Sequence, residues 1–294
     1  MIGHQLIDGV NSAVVQVIQY NEEGAMRVPV GEHGQLAWDA AAYERTANPR
    51  FGWSHEVLAR LPLRGDETVI DAGCGPGTLT AELLERLPDG HVIALDISTN
   101  MLHVASNHLR PRYRDHVSFC RADLQALNLH DVADAIFSRA TFHWIGDHPR
   151  LFANLYRALK PGGWLVAQCG GEGNVARVFE RVSALRASPP FGPSFVGWSD
   201  PLQWADARTT TERLKGAGFV QVAASIESDR VVMPDAAHYA EFLRAVALRT
   251  HVAQIEDAHL QVLFLEELTR QGAEDEPPFV LDLRLLTMEA QRPV

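Results

Sequence analysis

Between Thr68 and Gln168 short apolar runs alternate with longer stretches of helical period, and this alternation restricts the chain more than any other feature. Thr68-Val-Ile-Asp-Ala72 reads as a buried strand ending in a glycine-rich turn. A helix over residues 78–87, a strand over 91–96 and a helix over 98–109 follow, the last opened by Ser98 or Thr99 as its cap. Residues 117–121, 133–138 and 164–168 read as three more strands, with a helix over 150–159 before the last. Strands that alternate with helices imply a parallel sheet with right-handed crossovers. The fold class expected is therefore α/β, doubly wound and Rossmann-like.

After residue 170 the alternation is interrupted. Gly170-Gly-Glu-Gly173 and Ser188-Pro-Pro-Phe-Gly-Pro-Ser194 flank a helix near 176–185, and further helices are expected near 209–217, 236–248 and 256–271. Residues 219–226 and 279–288 read as two late strands that complete a mostly parallel, seven-stranded sheet. Helical insertions at about 171–215 and 236–275 would then form a lid over one edge. Ahead of the sheet, Trp38, Ala42, Tyr43, Trp53, Val57, Leu58 and Leu61 recur at helical spacing. The organisation expected is an N-terminal arm over 1–35 and one domain over 36–294, with a cofactor-binding core at 66–170.

Composition narrows the partners. With 46% hydrophobic and 21% charged residues the chain has the make-up of a globular protein. A formal charge of −11 with no dense Lys/Arg stripe argues against nucleic acid as a partner. Arg110-Pro-Arg-Tyr-Arg114, the densest basic stretch, is expected just past a helix as solvated surface. No apolar run approaches the roughly 20 residues a membrane span needs, and no signal-like N-terminus is seen, so the expected address is cytoplasmic, with no membrane association. Cys74, Cys120 and Cys169 show neither CxxC spacing nor a Cys/His cluster, which predicts buried reduced thiols and no metal site.

In an open parallel sheet the ligand sits beyond the carboxyl ends of the strands, where strand order reverses. Val69-Ile-Asp71-Ala-Gly73-Cys-Gly75-Pro-Gly77 places an acid and three glycines there, so that backbone can approach a ligand closely. Asp96 ends the second strand and Asp123 follows the third. A G-x-G turn also suits a dinucleotide-binding oxidoreductase using NAD. Against that reading, the spacing is G-x-G-x-G, Thr78 stands where the third glycine of the dinucleotide fingerprint belongs, and Asp71 would face the pyrophosphate with like charge. The same acid suits an amino group.

Four stretches in order, Val69-Ile-Asp-Ala-Gly-Cys-Gly-Pro-Gly-Thr-Leu-Thr80, Ala94-Leu-Asp-Ile-Ser98 with Met101, Ala122-Asp-Leu124, and Leu159-Lys-Pro-Gly-Gly163, resemble the successive motifs of class I S-adenosylmethionine-dependent methyltransferases. Trp38-Asp-Ala-Ala-Ala-Tyr43 and Phe142-His-Trp-Ile-Gly-Asp-His-Pro149 are most similar to the trans-aconitate methyltransferase group and related small-molecule methyltransferases. The resemblance implies S-adenosyl-L-methionine as cofactor. Gly73, Gly75 and Gly77 would pass beneath its methionine portion, with the amino group near Asp71 or the Gly73 carbonyl. Asp96 would accept both ribose hydroxyls, Ile97 and Met101 would pack on the adenine, and Asp123 and Leu124 would bond its edge. Ser138 and Ala140 would line the sulfonium side, and Tyr43 would close over it.

The expected function is methyl transfer to a small molecule, through oxygen of a carboxylate or a hydroxyl. Methyl transfer is an in-line displacement whose leaving group the cofactor already activates, so the protein's task is to hold acceptor and methyl collinear and dry. For a carboxylate, Arg45, Arg50 and Arg139 are the candidate cations, since guanidinium can grip it through two parallel bonds. For a hydroxyl or amine, His143 is the candidate base. Phe191, Phe195, Trp198 and Trp204 would suit an apolar acceptor better than a small tricarboxylate. The alternatives are the NAD-dependent oxidoreductase and a non-catalytic methyltransferase-like binding protein. Oligomeric state and the role of the arm are not legible.

Overall fold

A computed structural model of the chain describes residues 53–294, preceded by Val15–Val17, Gln19–Tyr20, Met26–Arg27, Trp38, Ala40, Tyr43 and Arg45. The parallel strands are β4 (Thr68–Ala72), β5 (His91–Asp96), β6 (Val117–Ala122), β7 (Ala133–Arg139) and β8 (Leu159–Gly170). Their sequences are apolar runs buried on both faces, as a sheet covered on both sides requires. Two late strands, β9 (Val220–Val232) and β10 (Val280–Gln291), close the sheet, β10 running antiparallel between β8 and β9. The seven expected strands are all present. An eighth, β1 (Val15–Val17), pairs antiparallel with β6 at the edge, so the arm contributes a strand the sequence reading did not assign. The hairpin strands β2 (Gln19–Tyr20) and β3 (Met26–Arg27) pair with each other.

The sheet order is β1-β6-β5-β4-β7-β8-β10-β9. Successive strands step outward from β4 to β6, then return to β7 on the other side of β4. The crevice beyond β4, between β5 and β7, is thus the switch point at which ligands bind in doubly wound sheets.

Helices α1 (Trp53–Leu58), α2 (Thr78–Glu85) and α3 (Thr99–Tyr113) lie on one face, where Leu58, Leu83, Leu102 and Phe137 share a buried cluster. On the other, α4 (His148–Ala158) and α6 (Ala207–Gly216) pack Phe152, Leu155 and Leu214 against Ile70, Ile136 and Leu165. A third cluster joins α5 (Ala176–Arg186), α7 (Ala236–Phe242), α8 (Arg249–Gln254) and α9 (Ala258–Ala273) to Leu281 and Leu283 of β10. Acidic caps begin several of these helices: Asp147, Asp206, Asp235 and Asp257 each accept a backbone N–H of the first turn. Ser98 caps α3 by accepting the Met101 N–H at 3.3 Å.

Three boundaries differ from expectation. The helix α3 continues through Pro111 to Tyr113, so the basic stretch forms its last turn, where Arg112 pairs with Glu85 at 3.2 Å on the surface. Strand β8 starts at Leu159 because the pairing with β7 skips across Pro161-Gly-Gly163: Ala133 faces Leu159, and Ala135 already faces Trp164. The helix expected over 236–248 ends at Phe242, opens into a π segment over Leu243–Ala247 and resumes as α8. No described helix is long and apolar enough to cross a membrane. The described residues hold no cluster of metal-ligating side chains, and the three cysteines are buried and free.

Candidate active site

At the carboxyl ends of β4, β5 and β6 a cavity of about 420 Å³ opens. Gly73 and Gly75 floor it, Asp96, Ile97 and Met101 form one wall, and Asp123 and Leu124 another. The Asp96 carboxylate is fixed by two backbone donors, Gly75 N–H to Oδ2 at 2.9 Å and Ser98 N–H to Oδ1 at 2.8 Å. Burial pushes its pKa up, and these bonds to the anion oppose that rise. Each oxygen keeps a lone pair, so the group is preset to accept from a vicinal diol.

The three glycines have different duties. A Cβ on Gly73 would sit 2.1 Å from Thr141 Oγ1, so only hydrogen lets this turn pass against the loop after β7. Gly75 faces open space in the cavity. Gly77 does not line it: with φ at +89° it starts α2, and a Cβ there would lie 2.9 Å from Ala105 Cβ of α3. Asp71 also stands back. It is 2% exposed, accepts the Thr80 hydroxyl at 2.6 Å, and burial raises its carboxyl to about 7. Ser138 likewise ties β7 to β4, donating to the Ala72 carbonyl at 2.6 Å, without lining the cavity. Of the residues expected at the cofactor, the structure gathers Gly73, Gly75, Asp96, Ile97, Met101, Asp123, Leu124 and Ala140 around one cavity and sets Asp71, Gly77 and Ser138 behind it.

A second, smaller cavity of about 130 Å³ adjoins the first, sharing Trp38, Tyr43, Arg139, Ala140 and Trp144 with it. Ala140 marks the neck. Its φ of +57° is unusual for a residue with a Cβ, and its N–H is held by the Gln168 carbonyl at 2.8 Å. Arg139 lines both cavities. Its Nε is buried without a hydrogen-bond partner, no carboxylate among the described residues forms an ion pair with it, and burial lowers its pKa. In the second cavity the Gln168 amide is held by Thr287 at 3.0 Å and leaves its other polar atom without a partner. Tyr43 lines both cavities, and burial pushes its phenol up, so it stays protonated.

Two of the expected acceptor residues are recast. Arg45 lines neither cavity: its side chain is 59% exposed and pairs with Glu241 at 2.9 Å. His143 does line the second cavity, but burial pushes its ring down to about 3. Its Nδ1 accepts the Gly170 N–H at 3.2 Å, which leaves the proton on Nε2, and the ring stacks on Trp204 at 5.4 Å. A neutral imidazole so held is a donor rather than a base. Arg50 lies outside the described residues. Of Phe191, Phe195, Trp198 and Trp204, only Trp204 lines the cavity. Phe191, Phe195 and Trp198 pack in the helical cluster.

The sequence reading missed Arg249. Its guanidinium lies 3.7 Å over the Trp38 ring, lines the first cavity beside Thr250, and is pushed down by burial to about 10. Next to it His251, wholly buried, places Nε2 3.3 Å from Asp200 Oδ2, joining α8 to the loop that carries Pro201 to the cavity wall. No motif marks these positions; only the fold brings residue 249 to residue 38.

Comparison with known proteins agrees with this geometry. Residues 69–163 match a family described as a methyltransferase domain. The trans-aconitate 2-methyltransferase of Methylobacterium radiotolerans is 33% identical over 257 residues, 85% of this chain and 94% of that protein. The enzyme of the same name from Azoarcus sp. (strain BH72) is 33% identical over 76% of this chain and 85% of its own. Among solved structures, a phosphoethanolamine N-methyltransferase 2 of Haemonchus contortus, in complex with S-adenosyl-L-methionine, superposes with a TM-score of 0.56 at 19% identity. That match covers 87% of this chain and 57% of the other. That likeness shows the fold; the family match and the relatives set an NAD-dependent oxidoreductase aside. Likeness that runs nearly end to end in the first of these relatives is more than a shared nucleotide-binding module: the chain belongs to the trans-aconitate 2-methyltransferase family, and is an S-adenosylmethionine-dependent methyltransferase.

Proposed function

We propose that the protein methylates a carboxylate oxygen of a small organic acid. The observation that carries this reading is Arg139, a buried guanidinium at the junction of the two cavities whose Nε has no hydrogen-bond partner and which no carboxylate among the described residues meets in an ion pair, the Glu82 charge acting on it without such contact. A buried cation so weakly paired is stabilised by a ligand that brings a carboxylate against it. The names of the relatives, trans-aconitate 2-methyltransferases, favour the same acceptor chemistry.

The first cavity fits the cofactor by its donors and acceptors. Asp96 would hold the ribose hydroxyls, Ile97 and Met101 would sandwich the adenine, Asp123 and Leu124 would meet its edge, and Gly73 and Gly75 would pass under the methionine tail. Bound there, S-adenosylmethionine supplies an electrophilic methyl on a sulfonium. Arg139 holds the acceptor carboxylate at the neck and so fixes the line of attack. The oxygen so held would take the methyl in line, with the carbon–sulfur electron pair left on sulfur. A carboxylate arrives ionised and leaves as a neutral ester, so no proton has to be removed. His143, neutral and protonated on Nε2, suits this role as a donor beside the acceptor. Trp38, Tyr43, Trp144 and Arg249 cover the junction and exclude water. Of the helical insertions expected at about 171–215 and 236–275, Val175, Trp204, Phe242, Val246 and Arg249 reach the cavities, as a lid over this site would require.

The test is to supply methyl-labelled S-adenosylmethionine with a set of carboxylic acids, alcohols, phenols and amines, then treat the products with mild base. Label released as methanol from acid-derived products supports the reading. Base-stable label on alcohol, phenol or amine products, with none on acids, contradicts it.

A further inference from the structure

Arg139 does not stand alone at the end of the sheet. It faces Gln168 across the β7–β8 pairing, and Gln168 faces Thr287 across β8–β10. Register partners on adjacent strands, about 4.8 Å apart, carry their side chains to the same face. The three form one row, in which Arg139 and Gln168 line the second cavity and Thr287 bonds the Gln168 amide from the far side. We propose that Gln168 is a second acid-binding residue, its side-chain amide donating to a carboxylate oxygen of the acceptor beside Arg139; this rests on the carboxylate reading above.

The unmade bonds of the row carry the argument. Gln168 is 2% exposed, its Nε2 reaches the Thr287 hydroxyl at 3.0 Å, and its Oε1 has no hydrogen-bond partner among the described residues. A buried amide oxygen left without a donor is expensive. A hydroxyl both donates and accepts, so Thr287 can hold either end of the amide. Turned over, the amide accepts the Thr287 hydroxyl through Oε1 and presents an Nε2–H to the acceptor. That donor then stands next to Arg139 Nε, which is also buried without a hydrogen-bond partner among the described residues. A charged and a neutral donor side by side suit an anion with several lone pairs to offer, as a carboxylate has. The backbone of Gln168 serves the same place: its carbonyl accepts the Ala140 N–H at 2.8 Å, so one residue fixes the neck and faces the acceptor. An acceptor with a hydroxyl at this point would instead leave the amide as it stands and donate to Oε1.

The experiment measures kcat/KM for methyl ester formation from trans-aconitate, succinate and phenylacetate, with calorimetric S-adenosylhomocysteine binding alongside, in wild type, Gln168→Met and Gln168→Glu. Methionine keeps the length of the side chain without its donor; glutamate keeps an acceptor and adds like charge. For the best acid, kcat/KM should fall about tenfold or more in Gln168→Met and further in Gln168→Glu, with S-adenosylhomocysteine affinity within about threefold of wild type. Wild-type activity in Gln168→Glu would overturn the inference, since an acceptor at that place would then suffice. So would wild-type activity in Gln168→Met, or an equal loss of S-adenosylhomocysteine affinity, which marks a role in the frame. If neither variant folds, Thr287→Val, which removes the hydroxyl that holds the amide, should lower kcat/KM several-fold, and no loss there overturns the inference in turn. These outcomes leave the carboxylate reading standing, because wild type still forms esters. Tight S-adenosylhomocysteine binding by wild type with no ester from any of these acids would overturn that reading, and the inference with it.

Discussion

The two cavities of this protein meet at Ala140 but are built in opposite ways. The cofactor cavity is assembled chiefly from consecutive strand ends: Gly73 and Gly75 after β4, Asp96 and Ile97 after β5, Asp123 and Leu124 after β6. Its polar groups are fixed by neighbouring backbone, as when Gly75 and Ser98 hold Asp96. The second cavity, the proposed acceptor site, draws on residues as far apart as Tyr43, His143, Gln168, Trp204, Val246 and Leu285, and two of its polar atoms, Arg139 Nε and Gln168 Oε1, lack hydrogen-bond partners. A self-satisfied site can be kept while the second varies, and the same cofactor then serves different acceptors.

The sharpest way to break this comparison is Asp96→Ala. It would remove the two charge-assisted bonds proposed to the ribose and should weaken S-adenosylhomocysteine binding about a hundredfold by calorimetry. Asp96→Asn, which keeps the shape and one acceptor, should recover part of the loss. Arg139→Gln separates the two sites: kcat/KM for the acid should fall by about thirtyfold or more, while S-adenosylhomocysteine affinity stays within about threefold. Equal losses in both would show that the cavities are energetically one.

Gly77→Ala probes the frame alone. A Cβ 2.9 Å from Ala105 overpacks the α2–α3 contact at a positive φ, so denaturant unfolding should report a loss of about 1–3 kcal/mol. Cofactor affinity in the surviving folded protein should be close to wild type.

His143 gives the smallest effect and a pH signature. Its ring pKa falls from near 6.5 in the unfolded chain to about 3 in the folded one. Between those values the unfolded state binds more protons, so this residue's stability contribution is full above about 6.5 and declines as pH falls toward 3. Wild type should thus lose more stability than His143→Gln between pH 7 and pH 5 in thermal unfolding. Ester formation should show no limb from this ring between pH 7 and pH 9. A basic limb that disappears in His143→Gln would restore the ring to a base.

Legibility in the sequence follows the same division. The seven principal strands and the residues that gather at the first cavity could be read because each lies within a few positions of a strand end, where period, glycine spacing and acid placement carry the signal. The strand Val15–Val17 was missed because three residues of alternation say nothing about a partner more than a hundred positions away. Asp71 by its strand-end position and Ser138 through the family resemblance are expected at the ligand, yet a side chain pointing into the sheet's packing serves Thr80 or Ala72 instead. Arg45 and Arg139 looked equivalent as cations. What separates them is Glu241 and the burial at the end of β7, both tertiary facts. The contact between Arg249 and Trp38 has no sequence signal at all.

The most direct test of the account is a crystal structure with S-adenosylhomocysteine and the best acid acceptor bound together. The ribose should lie on Asp96, the sulfur should point to the neck at Ala140, and the acid's carboxylate should rest on Arg139 with its body against Trp204. A sulfur directed away from that neck, or an acid bound elsewhere with Arg139 untouched, would contradict it.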